Sequence, residues 1–191
     1  MHNFLFVTHS QNKLAEAERF LGRKLQHYGL DLPELQLMDV EEVAVHKVKY
    51  AHAVLQRPVL VDDTGLYIDA WNGLPGALVK WFMQRTGDRG LCEMMRGFEE
   101  RTARAKTVLA TFNDTLNIYV GTLEGTIAPE PIGEGYSWET IFIPQGSDKT
   151  LAQMTLDEKD EFSMRRLAFE ALIRREESSV PPVGMLLEGR F

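Results

Sequence analysis

Pro58-Val59-Leu60-Val61-Asp62-Asp63-Thr64-Gly65 is an apolar run that ends in two adjacent carboxylates. Val59, Leu60 and Val61 behind a proline predict a buried strand, with Asp62 and Asp63 at its end. Two carboxylates leaving a buried strand are costly unless they meet water, a cation or a base. Magnesium prefers oxygen ligands and is commonly held by one or two carboxylates together with substrate phosphates, which makes this pair a candidate metal site. A bare Asp-Asp-Thr is more often a polar turn ahead of a glycine, so the segment needs support from elsewhere in the chain.

On the N-terminal side, Phe4-Leu5-Phe6-Val7 predicts a second buried strand that ends at Thr8. Leu14, Ala17, Leu21 and Leu25 follow at helical spacing, with Ser10 placed to cap the start. Ala44, Val48, Ala51 and Leu55 mark a second helix, and Asp39, three residues before Glu42, resembles a cap for it. Strand, helix, helix, strand predicts an α/β fold with a mixed sheet and ligand groups at strand ends.

On the C-terminal side, Asn72-Gly73-Leu74-Pro75-Gly76 predicts a turn, followed by helical stretches over 80–84 and 89–97. Two long strands over 102–112 and 116–127 flank Asn113-Asp114 as a hairpin. Prolines and glycines over 129–135 mark a loop, 137–143 reads as a further strand, and Met164, Leu167, Ala168, Ala171 and Leu172 define a last helix. No repeat or linker divides the chain. A single domain is expected over 1–177, with a C-terminal tail over 178–191 that has no clear period.

Composition narrows the function classes. The 191 residues are 44% hydrophobic and 26% charged, enough for a sizeable core, and the formal net charge is −7. Excess acid argues against bulk attraction to nucleic acid or an anionic membrane, so phosphate chemistry must rest on a local cluster of cations. Cys92 is the one cysteine, which removes an intramolecular disulfide and reads as a small apolar core residue. The apolar start is short and without a basic leader, and no run approaches a membrane span, so cytoplasm is the expected location. The five histidines contain no i,i+4 pair and there is no cysteine cluster, which argues against structural zinc.

Thr8-His9-Ser10-Gln11-Asn12-Lys13 connects a strand to a helix, so backbone N–H groups at the helix start can meet an anion and Lys13 adds a point charge. It is not a P-loop, since no glycine lies within it. Taken alone it reads as an ordinary capped helix start, and Lys80 before Trp81-Phe82 as a snorkelling surface lysine.

Read together and in order, these segments resemble the inosine triphosphate pyrophosphatase family over about 4–172. The stretch from Phe6 to Lys13 resembles the family's Thr-Gly-Asn-x-x-Lys loop. Asp31-Leu32-Pro33-Glu34 and the helix carrying Lys47 resemble its metal-ligand segment, and 59–66 its catalytic strand. The turn at 72–76 with Lys80-Trp81-Phe82 is similar as well, as are Lys149 to Met154 and Glu158-Lys159. The resemblance implies a long central mixed sheet, two α/β lobes flanking a substrate cleft, and a homodimer. It implies hydrolysis of a purine nucleoside triphosphate to the monophosphate and pyrophosphate with Mg2+. Glu34 and Asp63 would then bind the metal, and Asp63 would also deprotonate or orient water. Lys13, Lys47, Lys80 and Lys159 would gather on the triphosphate, with Thr8, Ser10 and Thr64 touching phosphate or metal.

Three departures fall in ligand-binding motifs. His9 and Ser10 stand where the family has Gly and Asn in the phosphate loop, and a side chain at His9 either crowds phosphate or adds a hydrogen bond. The base-binding Phe-Gly-Trp/Tyr-Asp is here Tyr136-Ser137-Trp138-Glu139, and Ser-His-Arg is Ser163-Met164-Arg165. Tyr136 keeps an aromatic face, Glu139 an acceptor and Arg165 a donor, whereas Met164 replaces a hydrogen-bonding ring and fits the last helix's core face equally well. Two other readings stay open: a nucleotide-binding sensor that no longer hydrolyses, and a pyrophosphatase turned to an ordinary or modified deoxynucleotide.

Overall fold

The computed structural model describes residues 4–178. The strands are β1 (Leu5–Val7), β2 (His27–Tyr28), β3 (Val59–Ile68), β4 (Pro75–Gly76), β5 (Thr102–Asn113), β6 (Thr115–Ile127) and β7 (Phe142–Pro144). The helices are α1 (Gln11–Leu21), α2 (Val40–Leu55), α3 (Val79–Met94), α4 (Leu156–Glu161) and α5 (Met164–Ser178). One mixed sheet runs β2-β1-β3-β5-β6-β7, with β4 paired to β3. The β1 pairings with β2 and β3 are parallel, and all others are antiparallel.

The expected end of the central strand at Val61 is corrected: β3 continues through both carboxylates to Ile68. Its register with β5 is unbroken from Val59 opposite Phe112 to Ile68 opposite Ala103. Asp62 and Asp63 are tolerated mid-strand because each finds cations, as described below. Alternation along the strand then divides the core. Phe6, Leu60 and Leu109 face α1 and α5, while Val7, Val59, Val61, Val108 and Ala110 face α2. A third cluster, built on Leu66, Ile68, Trp138, Phe142 and residues of α3, forms the second lobe beyond the carboxylates.

The caps behave as their chemistry requires. Ser10 Oγ accepts from Lys13 N at 3.3 Å and Asp39 Oδ1 from Glu41 N at 2.8 Å. α1 ends at Gly22, so Leu25 lies beyond it and packs on the same core from the loop. The predicted strand over 137–143 is instead a 3-10 turn, Ser137–Thr140, followed by the short β7. The cause is local: Glu139 Oε2 turns back to accept from Tyr136 N at 3.0 Å, which closes the chain into a turn. The helical stretches predicted at 80–84 and 89–97 are the two halves of α3, broken at Gly87 (φ 66°, ψ −176°).

Helix α5 crosses β6 closely. A Cβ at Gly121 would lie 1.8 Å from the Met164 carbonyl and 2.7 Å from Ala168 N, so only glycine lets the helix start sit there. That approach brings Met164 and Arg165 to the lip between the lobes. Of the tail expected over 178–191, only Ser178 is described, as the last residue of α5; the rest lies outside the described residues.

Candidate active site

Because successive residues of a strand point to opposite faces, Asp62 and Asp63 are not one paired site but the anchors of two. Asp62 faces α1 and α5 with a fully buried side chain. Lys13 Nζ lies 2.9 Å from its Oδ1 and also donates to its backbone carbonyl at 2.7 Å. Arg165 Nε donates to Oδ2 at 2.6 Å. Burial alone would push the Asp62 carboxyl up, but Arg165 and Lys13 outweigh it and hold it below the usual carboxylate range.

Arg165 is itself buried, which opposes its charge, yet Asp62 and Glu16 raise its affinity for the proton further. Its guanidinium donates to Glu16 Oε2, and to Thr64 Oγ1 at 3.2 Å. Thr64 in turn meets Thr107 Oγ1 across the β3–β5 pairing at 3.0 Å.

Asp63 faces α2. Lys47 Nζ stands 2.6 Å from Asp63 Oδ2 and 3.4 Å from Glu34 Oε1, while Lys80 Nζ reaches the same Glu34 oxygen at 3.2 Å. Burial works against the Lys47 charge, but Asp63 and Glu34 raise its pKa. Burial likewise pushes the Glu34 carboxyl up, and Lys47 with Lys80 brings it below its ordinary value. Asp63 Oδ2 is buried, and its contact with Lys47 is an ion pair without hydrogen-bond alignment. A buried carboxylate oxygen with unused lone pairs, close to a second carboxylate, is the donor set magnesium takes when phosphates supply the remaining oxygens. Among the described residues no group of three or more His, Cys, Asp or Glu forms a cage by itself. The residues therefore fit a cation shared with a phosphate ligand.

Both anchors open into one cleft of about 710 Å³ between the lobes. Thr8, His9, Ser10, Lys13, Glu34, Lys47, Asp63, Thr64, Lys80, Tyr136, Ser137, Trp138, Glu139, Met164 and Arg165 all line it. Lys159 does not; it donates to Glu139 Oε2 at 2.8 Å from behind. His9 Nε2 lies 3.1 Å from Asp31 Oδ1, and its ring packs on Gly29, where any Cβ would come within 2.7 Å. Tyr136 stands exposed at the rim, whereas Trp138 is buried edge-on against Phe142 with centroids 5.5 Å apart. Met164 is both core and lining, packed in the cluster with Trp138 and Leu151.

Sequence reasoning missed Glu16 and the separate place of Asp62. Glu16 lies three residues after Lys13 on α1, a spacing that puts both on one helix face, and that signal was available. Met83, Gln84 and Leu151 also line the cleft, and nothing in their local sequence marks them.

Fold and site together define an α/β protein whose interlobe cleft is lined by four Lys and Arg side chains and six carboxylates. The chain belongs to the Ham1 family, whose model matches residues 4–175. It is 38% identical over 176 residues to the inosine triphosphate pyrophosphatase of Schizosaccharomyces pombe, covering 88% of this chain and 92% of that one. It is 35% identical to the dITP/XTP pyrophosphatase of Thermococcus kodakarensis, covering 84% and 89%. The HAM1 protein of Coxiella burnetii superposes with a TM-score of 0.83 at 25% identity, covering 94% of this chain and all of that one. The expected architecture of a central mixed sheet with a cleft between two lobes is the one observed.

Proposed function

We propose that this protein is a nucleoside triphosphate pyrophosphatase that hydrolyses purine (d)NTP to (d)NMP and pyrophosphate with Mg2+. The observation that carries the reading is the chain Glu34–Lys47–Asp63, two carboxylates held about one ammonium in a cleft that also presents Lys13 and Lys80. Membership of a family whose relatives are named for this activity supports it.

Carboxylates outnumber Lys and Arg in the cleft, so a bare triphosphate would meet net repulsion. Mg2+ held by Glu34 and Asp63 would offset that charge and stabilise the departing pyrophosphate. Asp63, fixed by Lys47, takes the proton of a water that attacks the α-phosphorus. The new P–O bond forms as the bond to the α,β-bridging oxygen breaks, and pyrophosphate leaves with the electron pair. Lys13, Lys47 and Lys80 neutralise its growing charge, with Thr8, Ser10 and Thr64 orienting phosphate oxygens. Lys159 acts through Glu139.

At the base end, Arg165 already donates to Asp62, Glu16 and Thr64, and Met164 offers no fixed donor. This favours a purine pyrophosphatase with relaxed choice at the 6 position, with Tyr136 and Trp138 supplying ring faces. A homodimer in the cytoplasm is proposed on the family resemblance; among the described residues no helix is long and apolar enough to cross a membrane. Pyrophosphate release measured across ITP, dITP, XTP, ATP, GTP and CTP, with and without Mg2+, tests the reading. Purine cleavage that needs Mg2+ is expected. Binding without release from any of them would make it a sensor.

A further inference from the structure

Helix α3 carries Lys80 into the phosphate side of the cleft on its first half, then breaks. Gly87 takes φ 66° where a Cβ would meet nothing within 4 Å, so the glycine serves the backbone turn and not packing. Thr86 Oγ1 donates to the Phe82 carbonyl at 2.8 Å, closing the first half. Asp88 Oδ1 accepts from Arg89 N at 2.7 Å, starting the second.

The break aims the other Asp88 oxygen across the lobe. Oδ2 accepts from Thr140 Oγ1 at 2.8 Å, and Thr140 is 5% exposed. Thr140 closes the 3-10 turn that carries Trp138 and Glu139. That turn is otherwise costly, since Ser137 sits at φ 59° without being glycine. Its other polar ties, including Tyr136 N and Lys159 Nζ donating to Glu139 and Ile132 N donating to the Thr140 carbonyl at 2.8 Å, do not reach α3.

We infer that Asp88, through Thr140, is a positioning residue that ties the base side of the cleft to the helix bearing Lys80. Neither Asp88 nor Thr140 lines the cleft, so neither touches substrate. The inference rests on the nucleotide reading of the cleft for its effect on binding, but the tie itself is testable without any ligand.

Thr140→Val keeps the shape and removes the donor; Thr140→Ser keeps the donor. Amide exchange over 136–141 in the unliganded full chain is expected to quicken in Thr140→Val and Asp88→Ala, and to match wild type in Thr140→Ser. With Mg2+ present, inosine monophosphate should bind roughly tenfold more weakly to Thr140→Val, the scale set by one hydrogen bond to a charged acceptor. Inorganic tripolyphosphate, which meets only the phosphate side, should bind as to wild type. In the double variant the losses should not add, because one bond is removed twice. Unchanged exchange in Thr140→Val overturns the tie, as does additive behaviour. Equal weakening of both ligands, or of neither, overturns the positioning role. A wild type that cleaves no triphosphate would defeat the pyrophosphatase reading instead, leaving the exchange result to decide the tie.

Discussion

Lys47 Nζ lies 2.6 Å from Asp63 Oδ2 while its side chain is almost wholly buried. On the proposed mechanism, a buried ammonium with that partner would serve both stability and turnover. Lys47→Ala leaves a mostly buried Asp63 without its counter-charge, so stability falls by about 3 kcal/mol, the low end for a broken buried pair because Asp63 keeps some access to the cleft. Turnover should fall further, by roughly 10²-fold or more, because leaving-group charge is no longer offset. Assays well below the variant's Tm separate the two: activity recovered in the cold would mark Lys47 as structural only.

The Asp62–Arg165 pair makes a different prediction. Asp62→Asn leaves a buried guanidinium with Glu16 as its one remaining carboxylate, and removing one partner of a buried pair costs about 3–5 kcal/mol. Thermal unfolding should show a drop of at least about 5 °C, and an unchanged Tm would contradict the pairing.

Glu158 supplies a pH dependence. Lys149 at 2.8 Å and the Thr155 amide at 2.8 Å lower its carboxyl to about 2. A folded pKa below the unfolded value stabilises above the unfolded pKa, and that contribution is lost as pH falls through the folded one. The Tm gap between wild type and Glu158→Gln should therefore hold at pH 5–7 and close between about pH 4.5 and 2. A gap independent of pH would mean that the ionised carboxylate does not cap α4.

How much of this was legible follows from how local each cause is. Ser10 and Asp39 announce helix starts through their own side chains, and alternating or continuous apolar runs announce strands. The length of β3 was hidden because a strand through two carboxylates depends on Lys13, Arg165 and Lys47, which lie far off in sequence. The turn at 137–140 was misread as strand because Trp138 and Thr140 favour strands by type, while Glu139 reaching back to Tyr136 decides the matter. The candidate residues were proposed from the order of motifs, and all but Lys159 line one cleft; their division between two faces of one strand was not foreseen. The same periodicity that predicted the strand implied that division once Asp62 and Asp63 were placed inside it.

The proposed base end is where this chain departs most from the family's motifs. Met164 is packed with Trp138 and Leu151 and presents no donor, and Glu139 is held by Lys159 and the Tyr136 amide. Met164→His with Glu139→Asp should raise the ITP-to-ATP ratio of kcat/KM by roughly tenfold or more, as a fixed hydrogen bond discriminates better than shape. An unchanged ratio with activity preserved would show that these positions do not read the base.

The central claim is attack on the α-phosphorus with Asp63 as base, and product identity tests it most directly. Wild type with ITP and Mg2+ should release inosine monophosphate and pyrophosphate in equal amounts, with no diphosphate or free phosphate. Asp63→Asn, with its fold retained, should lose both products together by roughly 10²–10⁴-fold. Inosine diphosphate with orthophosphate as products, or near wild-type turnover in Asp63→Asn at saturating Mg2+, would contradict the account.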